Sequence, residues 1–178
     1  MKHSPKPKIG IITEDKTDAD CVKILVKRIS NDRVVSKGMG VGGGGNMFNV
    51  KKMTRFTQSL FAAGCTHLLV VHDLDRNRTT NELNDEKQLR VRLENALIHN
   101  PITRKTIIVP IEELEAWLLS DQYPHPQTIS NPKNELRKLN CNYRTSDNAK
   151  IAGKINIDDI TQKCPSFIPL QEFLKSIA

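Results

Sequence analysis

The chain of 178 residues has few aromatic residues and no long apolar run, and each absence excludes a class of function. Aromatic side chains make up 4% of the sequence, so binding of single strands mainly by base stacking is not expected. No apolar stretch approaches the roughly 18 residues that a membrane-spanning helix needs. The N-terminal residues run directly into a strand-like segment, which leaves too little length for a signal peptide.

The cysteines also lack the spacing of a metal or redox site. Cys21, Cys65, Cys141 and Cys164 include no C-x-x-C pair, so a structural zinc site is not expected. Cys21 and Cys65 stand among apolar residues and are interpreted as small buried hydrophobic residues. This cysteine usage indicates a reducing compartment, and we expect a cytoplasmic protein.

Positive charge, by contrast, is in excess. The sequence has 27 Lys and Arg residues against 20 Asp and Glu residues, a formal net charge of +7. Such a balance favours an anionic partner, and nucleic acid is the obvious candidate. The candidate phosphate contacts are Lys16, Arg76, Arg144, Lys150 and Lys154, for which an ordinary solvated surface is the alternative interpretation.

Short apolar runs alternate with helical patterns along the chain. The runs at residues 8–13, 34–35, 66–71 and 106–109 are predicted strands, and an amphipathic or apolar helical pattern follows each of them. This alternation predicts an α/β fold with a mostly parallel four-stranded sheet covered by helices. We expect a catalytic domain at residues 1–125 and a helical C-terminal extension at residues 126–178 packed on it.

Acidic residues follow two of these strands. Glu14 comes after the first strand, and Asp73 and Asp75 come after the third. Parallel sheets bind ligands beyond the carboxyl ends of their strands, and extended residues two apart point to the same side. Three neighbouring carboxylates repel one another unless a hard cation such as Mg²⁺ lies between them. The pattern predicts a metal site, although aspartates at strand ends also occur as plain turn residues.

A glycine-rich segment at residues 38–45 follows the second strand. It lacks the G-K-[ST] of a P-loop and the context of a dinucleotide-binding loop. Gly42, Gly43, Gly44 and Gly45 fall at the same edge of the sheet as the acids, so their amides could contact phosphate. A flexible linker is the alternative. His72 precedes the acids, and strand alternation predicts that it points away from Asp73.

Two protein classes share the Asp-x-Asp feature but not its position. Phosphatases of the haloacid-dehalogenase type carry it after their first strand, whereas Asp73 and Asp75 follow the third. Receiver domains pair acids after the first strand with one aspartate after the third, and they have no place for the glycine-rich segment.

Taken together, these motifs resemble the Toprim domain, the catalytic fold shared by topoisomerases, primases, recombination proteins and OLD-family nucleases. The matching elements are I-G-I-I-T-E ending in Glu14, the glycine turn, and V-V-H-D-L-D with Asp73 and Asp75. The segment E-L-E-A-W-L-L-S-D at residues 113–121 is similar to one in small standalone bacterial Toprim-like proteins, and that narrower resemblance extends over nearly the whole chain. One departure is Glu14-Asp15, where many Toprim proteins have Glu-Gly.

The resemblance implies hydrolysis of a phosphodiester with Mg²⁺ or Mn²⁺. Glu14 would act as general acid, general base or metal ligand, and Asp73 and Asp75 would hold the metal. Glu115, together with Glu112, could supply carboxylates for a second ion. The chain would then be a hydrolase of DNA or RNA in antiviral defence, working with a separate ABC-type or AAA-type ATPase. A non-catalytic nucleic-acid-binding or scaffold module and a small-molecule phosphohydrolase of the Asp-x-Asp kind are the alternatives.

Overall fold

The computed structural model describes residues 5–77 and 79–177 of the chain. Within these residues, one four-stranded sheet has the order β2-β1-β3-β4, with every neighbouring pair parallel. Its strands are β1 (Lys8–Thr13), β2 (Val35–Gly40), β3 (His67–Val71) and β4 (Arg104–Ile108). The predicted α/β class with a parallel, Rossmann-like sheet flanked by helices is therefore confirmed.

Helices connect the strands, and a series of shorter helices follows the sheet. The three connecting helices are α1 (Lys16–Ile29), α2 (Val50–Ala62) and α3 (Glu86–Ala96). After β4 come α4 (Glu115–Leu118), α5 (Pro132–Leu139), α6 (Asn148–Ala152), α7 (Ile157–Lys163) and α8 (Ile168–Lys175). No helix of the described ranges is both long and apolar enough to cross a membrane.

Side-chain caps fix where the connecting helices begin. Asp15, Asn49 and Asp85 each accept a hydrogen bond from the backbone N–H three residues further on, at the start of α1, α2 and α3. Asn46, where the helical pattern begins in the sequence, instead belongs to a short 3₁₀ helix at Gly44–Phe48. The glycine-rich segment therefore continues into one irregular turn before α2 starts.

The sheet separates two hydrophobic cores. Ile9 and Ile11 of β1 belong to the core formed with α1 and the C-terminal helices, whereas Ile12 belongs to the core formed with α2 and α3. Trp117 and Phe167 are fully buried in the first core, with their rings edge to face and 5.0 Å apart. The predicted extension at 126–178 thus shares a core with the sheet. Residues 1–4, 78 and 178 of the two predicted domains lie outside the described residues.

The strand order creates a crevice beside β1. β1 and β3 are neighbours in the sheet, but the chain continues from β1 to β2 on one side and from β3 to β4 on the other. The segments that follow β1 and β3 therefore diverge. Such a switch point is where open α/β sheets bind ligands. Ile12 pairs with Val70 in the parallel register, and two residues further on the same register brings Glu14 beside His72.

A close backbone contact at the end of β2 generates a stability prediction. A Cβ added at Gly40 would overlap the carbonyl carbon of Asp15 and the amide nitrogen of Lys16, and neither atom can swing away. We expect Gly40→Ala to lower the free energy of unfolding by about 1–3 kcal/mol, the usual cost of overpacking, in urea denaturation. Gly45→Ala is the control, because nothing lies within 4 Å of its added Cβ. Equal urea midpoints for the two variants would contradict the contact.

Candidate functional site

A cleft of about 300 Å³ opens at the carboxyl ends of β1 and β3, at the switch point of the sheet. Residues at the ends of β1 and β3 form the floor of the cleft. The segment after β2 forms one wall, and the beginning of α3 forms the other. Its lining consists of Glu14, His72, Asp73, Asp75, Gly44, Gly45, Phe48, Asn84, Asp85, Gln88, Leu89 and Arg92. The three strand-end acids that the sequence singles out therefore share one cleft.

Glu14 lies immediately after β1 and is partly buried. Its Oε1 is 3.2 Å from Nδ1 of His72, and its carboxylate accepts a hydrogen bond from the backbone N–H of Asp73. Burial raises the pKa of Glu14 above its ordinary value, and the nearby charge of Asp75 acts in the same direction. His72, the Asp73 N–H and Lys133 oppose the shift without cancelling it. A carboxyl with a raised pKa is suited to proton transfer near neutral pH.

His72 also lines this cleft, where strand alternation predicted only that it points away from Asp73. Its ring is buried, its Nδ1 lies 2.8 Å from the backbone oxygen of Asp73, and the Phe48 ring packs 5.1 Å away. Alternation describes one strand only, whereas the β1–β3 register decides which side chains meet across strands. Its buried Nε2 has no hydrogen-bond partner among the described residues.

The two aspartates differ in their surroundings. Asp73 is partly buried, and its Oδ1 accepts a hydrogen bond of 2.9 Å from the backbone N–H of Leu114. Asp75 is exposed at the cleft, where the side chain and backbone N–H of Asn84 both bond its carbonyl oxygen. Asp73 is thus held by the segment after β4, and Asp75 faces solvent.

A second group of acids lies behind Asp73. Burial raises the pKa of Asp73 well above its ordinary value, and the charges of Asp18, Glu115 and Glu14 raise it further. Asp18 lies in the first turn of α1, where burial, followed by the neighbouring Asp15 and Glu115 charges, raises its pKa to about 7. No motif in the sequence identified Asp18 as a site residue. Its position four residues after Glu14, at the start of a helix that follows a strand, is the signal that could have identified it.

Glu115 is buried at the start of α4 and does not line the cleft. Its Oε1 accepts hydrogen bonds from Asn148 Nδ2 at 2.9 Å and from the Tyr143 hydroxyl at 3.3 Å. Its Oε2 is 3.8 Å from Nζ of Lys133. Burial raises the pKa of Glu115, against the effect of Lys133 and Asn148. Glu115 therefore joins the C-terminal helices to the site, and its role as a metal ligand stays a prediction.

Lys133 supplies the positive charge nearest to these acids. It belongs to α5, and its Nζ is 3.0 Å from Glu113 and 3.8 Å from Glu115. Burial alone would lower the pKa of Lys133, but the Glu115 and Glu113 carboxylates raise it on balance. No motif identified Lys133, because only the packing of α5 brings it to the acids.

Glu112 and Arg76 bind each other. Glu112 is buried, with a left-handed φ of 67°, and both of its oxygens contact the Arg76 guanidinium, one of them 3.0 Å from Nε. Arg76 also donates to the carbonyl oxygen of Asn81 at 2.6 Å. The sequence suggested Arg76 as a nucleic-acid contact and Glu112 as a metal ligand. The structure gives both side chains a different partner, and their ion pair joins the segments after β3 and β4.

The glycine-rich segment packs against Glu14. The Gly43 N–H donates to the Glu14 carbonyl oxygen at 2.8 Å, and Val41 N–H donates to Thr13 in the same way at 3.1 Å. A Cβ at Gly44 would lie 2.5 Å from Oε2 of Glu14, so a larger residue there would displace that carboxylate from its present position. Gly44 and Gly45 line the cleft, and Gly42 and Gly43 form the turn that leads to them. Their role in phosphate binding stays a prediction.

The other predicted basic contacts lie away from the cleft. Lys16 is exposed and pairs with Asp20 at 3.1 Å. Arg144, Lys150 and Lys154 are exposed, and the two lysines border a separate surface depression. None of these residues lines the cleft, and their contact with nucleic acid remains untested.

The donor chemistry of the cleft fits a hard divalent cation. Glu14, Asp73 and Asp75 offer carboxylate oxygens, the ligands that Mg²⁺ prefers. Burial raises the pKa of Asp73 first, and the neighbouring carboxylate charges raise it further, which a bound cation would offset. Among the described residues, buried Oε1 of Glu14 makes no hydrogen bond, and its close polar contact is the 3.2 Å approach to Nδ1 of His72. Within residues 5–77 and 79–177, no three acidic, His or Cys side chains already converge as a metal-binding group.

Comparisons with protein-family models, curated proteins and solved structures gave no significant match to this chain. The resemblance to the Toprim domain remains a prediction that rests on the motifs around Glu14, Asp73 and Glu115.

The hydrogen bonds around Glu115 yield one prediction. Tyr143→Phe removes the hydroxyl that donates to buried Asn148 Oδ1 at 2.7 Å, and an unsatisfied buried acceptor costs about 1–3 kcal/mol. We expect the free energy of unfolding, measured in urea, to fall by that amount. Tyr123→Phe is the matched control, because the hydroxyl of partly exposed Tyr123 bonds Glu135 and its loss should cost less than about 1 kcal/mol. Equal losses of unfolding free energy in the two variants would contradict a buried hydrogen-bond network around Glu115.

The raised pKa of Asp18 yields a pH-dependent prediction for the metal-free protein in EDTA. The pKa of Asp18 is about 7 in the folded chain against an ordinary 3.8, so the folded state holds this proton more tightly. Its contribution to stability is lost as the pH rises from about 4 to about 7. Asp18→Asn should therefore be more stable than the wild type at pH 8, and the difference should shrink towards pH 4.

Asp20→Asn is the control for this measurement. Asp20 is on the same helix, where the Lys16 and Lys23 charges outweigh slight desolvation and lower its pKa. Its replacement should slightly destabilise the protein at pH 8, by less than about 1 kcal/mol. A stabilising effect of both substitutions would show that net charge, and not the environment of Asp18, is responsible.

Proposed function

We propose that this chain is a metal-dependent nuclease that hydrolyses phosphodiester bonds of DNA or RNA. The observation that carries the proposal is the meeting of Glu14, Asp73 and Asp75 in one cleft at the switch point of a parallel sheet. The net charge of +7 supports a polyanionic substrate. The Toprim resemblance of the same three residues points to the same reaction class.

In this proposal Asp73 and Asp75 hold Mg²⁺ or Mn²⁺, and Glu14 is a third oxygen donor or the proton-transfer group. The bound ion would polarise a phosphoryl oxygen and lower the pKa of a water molecule. The chain's own contribution is to position the carboxylates. The Leu114 N–H holds Asp73, and the Asp73 N–H and His72 together hold Glu14.

Asp18 and Glu115 are the carboxylates available for a second ion, since both raise the pKa of Asp73 through their charge. Asp18 is the better candidate, because Oε1 of Glu115 is already hydrogen-bonded to Tyr143 and Asn148. Lys133 balances part of the negative charge of this group when no ion is bound. A role in antiviral defence beside an ABC-type or AAA-type ATPase is proposed from the resemblance alone.

The proposal predicts metal-dependent cleavage that needs the cleft carboxylates. Purified protein is incubated with plasmid, single-stranded DNA and RNA in Mg²⁺ or Mn²⁺, alone and with any ATPase encoded beside its gene. We expect cleavage to fall at least about 100-fold in Glu14→Gln and Asp73→Asn, the scale of a lost acid–base or charge-stabilising group. Asp20→Asn, outside the cleft, should retain activity, and thermal melting checks that each variant folds.

The other outcomes identify the alternative functions. Binding of nucleic acid that persists in both variants, without cleavage in any metal or with the ATPase, would indicate a non-catalytic module. Turnover of a generic phosphomonoester without nucleic-acid cleavage would indicate a small-molecule phosphohydrolase. Cleavage that survives in Asp73→Asn at the wild-type rate would exclude this cleft as the active site.

A further inference from the structure

The side of the cleft formed by α3 carries polar groups to which the proposed reaction assigns no role. Asp85, Gln88, Leu89 and Arg92 all line the cleft, and their spacing of three, four and seven residues places them on one face of the helix. Leu89 has a structural role because it is buried in the core, and Asp85 has one because it caps the helix. Gln88 and Arg92 are exposed and reach the cleft from the same face.

Arg92 is held in place without being bound by an acid. Its guanidinium carbon lies 3.8 Å from the centroid of the Phe48 ring, a cation–π contact, and Phe48 in turn packs on His72. Among the described residues, its guanidinium has no salt-bridge or hydrogen-bond partner. By contrast, Arg76 is bound to Glu112, and Arg90 to Glu86 and the Ile107 carbonyl oxygen. The N–H donors of Arg92 are thus available to a ligand that enters the cleft.

The charges that line the cleft indicate what kind of ligand Arg92 would bind. Glu14, Asp73 and Asp75 repel an anion, and Arg92 is the only Lys or Arg among the described residues that line the cleft. A planar guanidinium binds a phosphate through two parallel hydrogen bonds, which a lysine cannot do. A phosphate drawn to a metal on the carboxylates would find its second cationic partner on α3.

We propose that Arg92, held over Phe48, binds the substrate phosphate in this cleft, with Gln88 as a neighbouring hydrogen-bond partner. The inference rests on the proposed function, because the phosphate belongs to the phosphodiester. It places the substrate between α3 and the Gly44–Phe48 segment. The exposed Lys150 and Lys154 then contribute little to binding at the cleft.

The test measures binding apart from cleavage. Every variant is made in a Glu14→Gln background, in which the proposed hydrolysis is blocked, and Mg²⁺ is present throughout. Fluorescence anisotropy gives the affinity for labelled single-stranded DNA, RNA and duplex DNA over a range of salt concentrations. Arg92→Gln should weaken binding at least about 10-fold and reduce the slope of log affinity against log salt by about one.

Three further variants separate geometry from charge. Arg92→Lys should keep the salt slope but lose part of the affinity, because lysine lacks the planar fork. Phe48→Leu keeps apolar volume but removes the ring, so it should weaken binding to an intermediate degree. Lys87→Gln is the matched control: it removes one exposed positive charge from the same helix, outside the cleft, and should change affinity less than about 2-fold.

Equal affinities of Arg92→Gln and Lys87→Gln would overturn the proposal, and so would a background protein that binds none of the three probes. Failure of the proposed hydrolysis is recognised separately. If the wild type cuts nothing but Arg92→Gln still loses affinity, the phosphate-binding role stands without the reaction. Arg92→Gln is also made in the wild-type background for kinetics. If the wild type cuts and this variant lowers kcat with an unchanged KM and affinity, Arg92 does not bind the ground-state substrate and the proposal fails.

Discussion

The parallel register between β1 and β3 is the constraint on which the candidate site depends. Because Ile12 pairs with Val70, the two strands end at the same level, and Glu14 comes to lie beside His72 and the Asp73 backbone. The strand order then moves β2 to the far side, which leaves the crevice open. The glycines complete the arrangement, since the Gly43 N–H ties its segment to Glu14 and Gly44 leaves room for the carboxylate.

The charge balance of the site depends on the C-terminal helices. Glu115 is buried among Tyr143, Asn148 and Lys133, all of which follow the sheet in the chain. Burying a carboxylate is costly unless hydrogen bonds and an opposite charge compensate for it. These helices also share a hydrophobic core with β1 and α1. The packing that covers the sheet therefore also places the hydrogen-bond donors and the lysine beside Glu115.

Local patterns in the sequence were sufficient for the strands and for the three strand-end acids. β1 and β3 are buried apolar runs, and Asp73 and Asp75 directly follow one of them. β2 was recognised only at Val35, because its remaining residues, apart from Met39, are polar or glycine at an edge of the sheet and show no apolar run. Asn46 resembled a helix start as much as the true cap Asn49 does, since both are polar residues before an apolar pattern.

The remaining site residues could not be found in this way, because their positions depend on contacts between distant segments. His72 meets Glu14 through the strand register, and Lys133 meets Glu115 through the packing of α5. Arg92 is one of several charges on a polar helix, and only the Phe48 ring and the cleft distinguish it from Arg90. Spacing within one segment carries no information about such partners.

The ion pair between Arg76 and Glu112 has a mechanical consequence for metal choice. It joins the loop that carries both aspartates to the loop whose Leu114 N–H holds Asp73. Asp73 is thus held between two linked loops, which restricts how far it can adjust to the radius of an incoming ion. In the proposed site, selectivity between a small ion such as Mg²⁺ and a larger one such as Ca²⁺ would depend on how far these linked loops let the carboxylates adjust.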